Sequence, residues 1–389
     1  MKILILTSRF GFGYGMGYSA YKEAIALTLL GHSVTVVHCY SDPEIADFYD
    51  SRIKLIYLPM SKLPLVGFFT YFFKLNKAIN EKIEIEDFDI VYIQSLEFGL
   101  LALARIKIPI FYYARSTIRG MRLAFQGKEV KTSFLSKITN LILITLECRC
   151  IRYSKMIFVK SYRMAREVCD LYGVGPKKLV VITGGIDDKD FQIQSELSCI
   201  EFKRKLKIPS DIPIVLYAGR IVPQKGLSYL VEASLKLLQE MNFVVIIAGA
   251  NANEPYYAKV KHLIDNSIYR NSFYFLGHIN QLDMSLVLNL ADCLVTPSFY
   301  EPFGMINLQA AFLNKKIITT EVTGSVDLLA NYEKIKIVRA GSSTAIELAM
   351  REVLLLKSPT NQLPIDLSDY SWRSVAEQLL RYFSLTDII

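Results

Sequence analysis

The chain lacks any run of the roughly 18 to 20 apolar residues that a membrane-spanning helix needs, although 52% of its 389 residues are hydrophobic. That hydrophobic content excludes a disordered chain. Residues 1–7 form too short an apolar stretch for a signal peptide and carry no cleavage site. Histidine is scarce, at four residues, and the six cysteines are scattered (Cys39, Cys148, Cys150, Cys169, Cys199 and Cys293). No second Cys or His pair matches Cys148 and Cys150, so neither a zinc site nor a disulfide framework is expected. Several of these cysteines sit in apolar runs, as buried free thiols do, and a reducing cytoplasm is the simplest compartment. No D-x-D pair stands in a loop after a strand, and the glycines of the first loop do not make a G-x-G-x-x-G. A dinucleotide fingerprint is therefore absent.

What is present is a length that suits two domains, each with its own core, and a net charge of +8. Such an excess fits nucleic acid, an anionic membrane, or solubility alone. No nucleic-acid-binding motif accompanies it, so nucleic acid is not an expected partner.

Residues 2–7 read as a buried strand feeding the loop Ser8-Arg9-Phe10-Gly11-Phe12-Gly13-Tyr14-Gly15-Met16-Gly17, then a helix to about residue 30 and a strand over 34–37. Glycines here let backbone approach a phosphate, and the following helix start favours negative charge; a flexible loop without a ligand is the rival. Further strands are expected over 89–93, 108–113 and 156–159, with a helix over 98–105. Two segments, 60–82 and 115–137, interleave Lys62, Lys74, Lys77, Lys82, Arg119, Arg122, Lys128, Lys131 and Lys137 with bulky apolar residues. Two readings stay open for them: helices lying in a headgroup layer, or an ordinary domain with a core face and a solvated basic face.

In the second half, strands are expected over 214–220, 243–249, 273–279, 293–296 and 317–320. Gly219-Arg220 and Lys225 flank a strand-to-helix loop and make a cationic fork over a helix start. Residues 301–304, Glu-Pro-Phe-Gly, lead from a buried strand into a helix carrying Met305, Leu308 and Phe312 at helical spacing. A carboxylate set before unpaired helix N–H groups suits a ligand with both anionic and hydroxyl groups.

Residues 298–311, SFYEPFGMINLQAA, resemble the acidic signature of the retaining GT-B glycosyltransferases of family 4, and G-R-x-x-x-x-K-G over 219–226 matches that family's diphosphate-binding signature. The resemblance implies an α/β protein of two Rossmann-like domains with parallel sheets facing across a cleft. It places an acceptor-binding domain over 1–185, a nucleotide-sugar-binding domain over 186–368, and a helix over 369–389 returning to the first. Gly184 and Gly185 are candidate hinge positions.

The resemblance puts Gly15 and Gly17 beside the donor diphosphate, and Gly219, Arg220 and Lys225 on it. Glu301 would accept hydroxyls of the donor sugar, with the amides of Phe303, Gly304 and Met305 on the sugar or phosphate, and Gly277 and His278 beside the nucleobase. The catalytic residues implied are Arg220, Lys225 and Glu301. Two positions depart from the family: Gln309 replaces its second glutamate, which holds the ribose, and Arg115 stands on the acceptor side near the place of its histidine. The implied partners are a nucleotide-sugar donor and a glycan or lipid-linked acceptor, with no cofactor and no metal. A cytoplasmic location on the inner membrane face follows if the basic segments bind anionic lipid. The alternative is a non-catalytic nucleotide-sugar-binding subunit.

Overall fold

The structure, a computed structural model, describes residues 1–11, 15–40, 51–61, 64–78, 87–99, 107–125, 134–186, 194–209, 211–355 and 368–385. They fall into two compact units, Met1–Gly185 with Ser368–Ile389, and Ile186–Leu367. Each is a parallel sheet covered by helices on both faces, the arrangement that alternating apolar strands and helices require.

The first unit contains β1 (Lys2–Arg9), α1 (Gly15–Leu29), β2 (Ser33–Tyr40), β3 (Ile53–Tyr57), α2 (Pro64–Ala78), β4 (Ile90–Ile93), β5 (Ile110–Ala114), α3 (Ile118–Ala124), α4 (Phe134–Tyr153), β6 (Met156–Val159), α5 (Tyr162–Tyr172) and β7 (Leu179–Val181). Its seven strands run parallel in the order β3-β2-β1-β4-β5-β6-β7. The second unit contains α6 (Glu196–Lys205), β8 (Ile214–Ala218), α7 (Leu227–Leu237), β9 (Val244–Ala248), α8 (Glu254–Asp265), β10 (Phe273–Gly277), α9 (Gln281–Leu290), β11 (Cys293–Thr296), α10 (Met305–Phe312), β12 (Lys316–Thr320), β13 (Ile335–Val338) and α11 (Ser343–Leu355). Its six parallel strands are ordered β10-β9-β8-β11-β12-β13. The last helix, α12 (Trp372–Phe383), belongs to the first unit.

Strand alternation divides the first unit's core between the two faces of its sheet. Leu4, Leu6, Val91 and Ile93 pack with Tyr71 and Leu75 of α2 and Met164 and Val168 of α5. Ile3, Ile5, Tyr92 and Phe111 pack with Ala20, Ala24 and Leu27 of α1 and with Trp372, Val375, Leu379 and Phe383 of α12. A Cβ at Gly185 would run into the Trp372 indole, so this glycine is set by close packing as well as by any hinge role. In the second unit α7, α8 and α11 bury Leu230, Val260, Ile264, Ile346 and Met350 on Val215, Val245, Ile247 and Val295.

Three strands go beyond the sequence expectation: β3, β7 and β13, all outermost in their sheets. The helix expected over 98–105 is represented by a single 3-10 turn, Leu96–Gly99, and the remainder lies outside the described residues. So do Phe12, Gly13 and Tyr14 of the first loop, Lys62, Lys82, Lys128 and Lys131 of the basic segments, and the side chains of Phe68, Phe69, Phe72 and residues 134–137. On α2, Tyr71 and Leu75 are core, whereas Phe73 is 67% exposed.

One buried carboxylate ties α3, α4 and α5 together. Glu147 of α4 is fully buried. Its oxygens accept from the Ile118 N–H, each at 3.1 Å, and from the Tyr172 hydroxyl. Burial pushes the Glu147 carboxyl up to about 7, against those hydrogen bonds, which hold it down. An acid with a folded-state pKa above its unfolded value binds its proton more tightly when folded. Its contribution to stability is therefore lost as pH rises from about 4.5 to about 7. The difference is worth at most roughly 3 kcal/mol. Melting at pH 6 and pH 8 should show the wild type less stable at pH 8, and Glu147→Gln, which cannot ionise, should remove much of that difference. An unchanged pH dependence in the variant would rule the effect out.

Candidate functional site

In the second unit the chain leaves β8, at the centre of the sheet, toward β9 and β10, and returns at β11 on its other side. The β8/β11 boundary is thus the point where strand order reverses, and the crevice outside the carboxyl ends of such a pair is where open α/β sheets hold ligands. The two loops that leave these strands carry Lys225 and Glu301.

The β8 loop passes Gly219 and Arg220 into a 3-10 turn over Pro223–Lys225 that ends on Gly226 in the left-handed region, φ 68°. The Lys225 and Gly226 N–H groups donate to Val222 and Pro223 carbonyls at 3.0 and 3.1 Å. The turn is stitched to the β11 loop: the Phe299 N–H donates to the Gln224 carbonyl at 2.8 Å, and Gln224 Nε2 donates to the Tyr300 carbonyl at 2.9 Å. A Cβ at Gly226 would land on the Pro297 carbonyl, so only glycine allows this approach. As a result Lys225 Nζ pairs directly with Glu301 Oε2, the two side chains being 20% and 14% exposed.

Glu301 is itself held by the turn after β12. Its backbone bridges Thr323 in parallel register, its carbonyl accepts from Gly324 N–H at 2.9 Å, and the Phe303 carbonyl accepts from Ser325 N–H at 2.7 Å. Gly304, at φ 89°, then starts α10 without a capping side chain, so the first-turn N–H groups have no side-chain cap to satisfy them. Below this turn lies a buried polar hub. Asn307 Oδ1 accepts from Thr296 Oγ1 at 2.9 Å, and its Nδ2 donates to Thr319 Oγ1 at 3.0 Å and Ser325 Oγ at 3.4 Å. Asn307, Thr319 and Ser325 are fully buried. Nothing in the sequence pattern singles out Asn307; its importance comes from residues 11 to 18 positions away.

Tyr217, Lys225, Thr296, Ser298, Glu301 and Gly304 line a small pocket. Burial, chiefly, and the Glu301 charge push the Tyr217 hydroxyl upward, so it is a neutral donor, and it donates to the Arg220 carbonyl at 2.9 Å. Arg220 itself is exposed, with no side-chain partner among the described residues. Phe303 is buried and Met305 half-buried; Gln309, in the second turn of α10, is 8% exposed. Gly277 and His278 are exposed at the end of β10. Gly277, Gly249 and Gly219 succeed one another across the carboxyl edge, with the Gly249 N–H donating to the Gly277 carbonyl at 2.7 Å. The structure therefore joins Lys225, Glu301 and Gly304 in one pocket, with Arg220, Gly277 and His278 at the same sheet edge.

Gly15, Gly17 and Arg115 lie in the first unit, where the strand order reverses between β1 and β4. Gly17 sits close beneath Gly11, whose N–H donates to the Gly17 carbonyl at 3.3 Å, whereas Gly15 faces open space. Arg115 is drawn inward. Its Nη2 donates to Glu23 Oε1 at 3.2 Å and Gln94 Oε1 at 2.9 Å, and its guanidinium stacks 4.9 Å from the Tyr113 ring centre. Gln94 Nε2 and Tyr92 Oη complete the Glu23 carboxylate at 2.7 and 3.1 Å. Glu23 and Gln94 carry no sequence signal of their own, since one is a charged residue within a helix and the other follows a strand. Among the described residues no cluster of three His, Cys, Asp or Glu could hold a metal ion, and no helix is long and apolar enough to cross a membrane.

Comparison with known proteins matches the profile of Glycosyltransferase Family 4 to residues 14–190 and that of Glycosyl transferases group 1 to residues 200–366. An uncharacterised glycosyltransferase of Methanocaldococcus jannaschii is 29% identical over 177 residues, 45% of each chain. The chain spans about half the length of the curated relatives it matches. In fold it is similar to sucrose-phosphate synthase of Thermosynechococcus elongatus, with a TM-score of 0.80 at 18% identity over 99% of this chain and 98% of that one. It is also similar to HepE of Anabaena in complex with UDP-glucose, with a TM-score of 0.78 at 12% identity over 99% and 100%.

Proposed function

From the chain's membership of the family 4-type GT-B glycosyltransferases, we propose that it transfers a sugar from a nucleotide-sugar donor to a hydroxyl of a glycan or lipid-linked acceptor, with retention at the anomeric carbon. The observation that carries the reading is the meeting of Lys225 and Glu301 beside the uncapped start of α10, at the switch point of the second sheet.

In this reading Lys225 and Arg220, rather than a metal ion, hold the diphosphate, aided by the amides of Phe303, Gly304 and Met305. Their charge matters most as the glycosidic bond breaks and negative charge gathers on the leaving phosphate. Glu301 accepts hydroxyls of the donor sugar. The leaving phosphate takes the proton of the acceptor hydroxyl on the same face, so no histidine base is required. Gln309 offers one acceptor and two donors to the ribose hydroxyls, and Gly277 and His278 border the base.

The test is a panel of nucleosides and nucleoside diphosphates screened by thermal melting. Binding at a hundred times Kd stabilises by about 2.7 kcal/mol, so at least one diphosphate should raise the melting temperature by several degrees while its nucleoside does not. If no diphosphate raises it, the reading falls. The binding-subunit alternative is favoured by one observation, the locking of Arg115 onto Glu23; binding of a nucleotide sugar without product release would decide for it.

For a lipid-linked acceptor the enzyme works at a membrane surface. Supporting this, Phe73 and Leu123 are exposed large apolar side chains, with Lys74 and Lys77 exposed close to the first in sequence and Arg122 next to the second. Each basic residue near an anionic surface contributes about 1 kcal/mol. The expected outcome is co-sedimentation with vesicles containing anionic lipid and not with neutral ones, weakened by salt and by Phe73→Ser. Indifference to anionic vesicles at low salt points to a soluble acceptor.

A further inference from the structure

Lys225 and Glu301, assigned above to different parts of the donor, are paired with each other. We propose that the Glu301 carboxylate is a built-in rival of the donor's diphosphate. With no nucleotide bound it neutralises Lys225, and nucleotide binding displaces it into the place where it accepts sugar hydroxyls. This rests on the transfer reading and adds an order of events to it.

Charge is the first argument. The pocket holds one ammonium group, one carboxylate and the partial positive charge of a helix start, so it is near neutral when empty. A diphosphate is polyanionic, and a carboxylate left on Lys225 would both occupy the cation and repel the newcomer. Burial is the second. At 20% and 14% exposure the pair is enclosed enough to hold, and open enough for a phosphate to reach.

Backbone restraint is the third. The Glu301 carbonyl is held by Gly324 N–H at 2.9 Å and the Lys225 N–H by Val222 at 3.0 Å, while Gln224 is pinned to Phe299 and Tyr300. The hub around Asn307 fixes the floor. The exchange is therefore a rotation of two side chains on a stationary frame. The diphosphate must engage Lys225 before Glu301 can bind sugar, so a free sugar binds poorly unless a diphosphate is present.

Isothermal titration with ADP, UDP and GDP tests this, using whichever binds the wild type. Because a partly exposed ion pair is worth up to about 1 kcal/mol, Glu301→Gln should bind that nucleotide about fivefold more tightly. Glu301→Asp, whose shorter arm withdraws the carboxylate from Lys225, should also tighten binding and keeps the test open if the Gln variant does not fold. In a Lys225→Ala background the effect of Glu301→Gln should fall to about twofold or less, since the cycle isolates the pair. Unchanged or weaker binding by folded Glu301→Gln and Glu301→Asp overturns the rivalry and leaves sugar transfer intact. Full tightening in the Lys225→Ala background overturns the pairing in favour of plain repulsion. Undiminished nucleotide binding in Lys225→Ala alone overturns the transfer reading itself.

Discussion

Lys225→Ala is expected to lower turnover by two orders of magnitude or more. A single well-placed donor to developing charge is worth roughly 2.7 to 4 kcal/mol, and among the described residues Lys225 is the one lysine or arginine lining the pocket. Its ammonium group is delivered by a turn whose backbone is hydrogen-bonded within itself and to the β11 loop. In the proposed transfer the loss should appear in kcat as well as in nucleotide affinity, because a leaving diphosphate carries more charge at its bridging oxygen in the transition state than in the donor. Lys225→Arg should recover only part of it, since a planar fork does not occupy the space of a compact ammonium. Arg220, exposed and outside the pocket lining, should matter less than Lys225. Turnover within tenfold of wild type in a folded Lys225→Ala protein would remove the catalytic assignment.

Gly226→Ala is expected to be the most damaging single methyl group in the second unit. The added Cβ has two penalties. It places an alanine at φ 68°, and it drives the methyl into the Pro297 carbonyl. Overpacking of this kind costs about 1 to 3 kcal/mol, and a left-handed conformation about 1 kcal/mol more. Backbone cannot give way cheaply, because Phe299 and Tyr300 are tied to Gln224 one turn earlier. We expect a loss of about 2 to 4 kcal/mol in denaturant unfolding, with nucleotide binding lost at temperatures where the chain is still folded. A stability change under about 0.5 kcal/mol, the range of an ordinary surface substitution, would show that the two loops do not meet as described.

The central strands of both sheets were readable because a parallel strand covered on two faces is a continuous apolar run. β1, β8 and β11 are of that kind. The strands that escaped, β3, β7 and β13, are the outer ones. Ile53-Lys54-Leu55-Ile56-Tyr57 and Ile335-Lys336-Ile337-Val338 expose part of their length, so their composition is diluted toward that of loops. At the site, spacing announced that a basic loop and an acidic loop each precede a helix. It could not say that Lys225 meets Glu301 while Arg220 turns to solvent, because the meeting depends on a glycine-permitted contact, Gly226 on Pro297. Arg115 shows the same limit from the other side. The family resemblance puts it on the acceptor side, yet Glu23, 92 positions earlier, and Gln94 claim it. Long-range partners of this sort leave no periodic trace.

The placement of α12 sets a schedule for synthesis. Trp372, Val375, Leu379 and Phe383 belong to the same face of the first unit as Ile3, Ile5 and Phe111, but the ribosome makes them only after the whole second unit. At about 5 to 20 residues per second, translating residues 186–367 takes roughly 10 to 40 s. Throughout that interval this face of the first sheet lacks α12, and among the described residues α1 is the other helix whose side chains join its core. Closure of the first unit therefore waits for the end of the chain, and its nascent form is the part that a chaperone would have to shield.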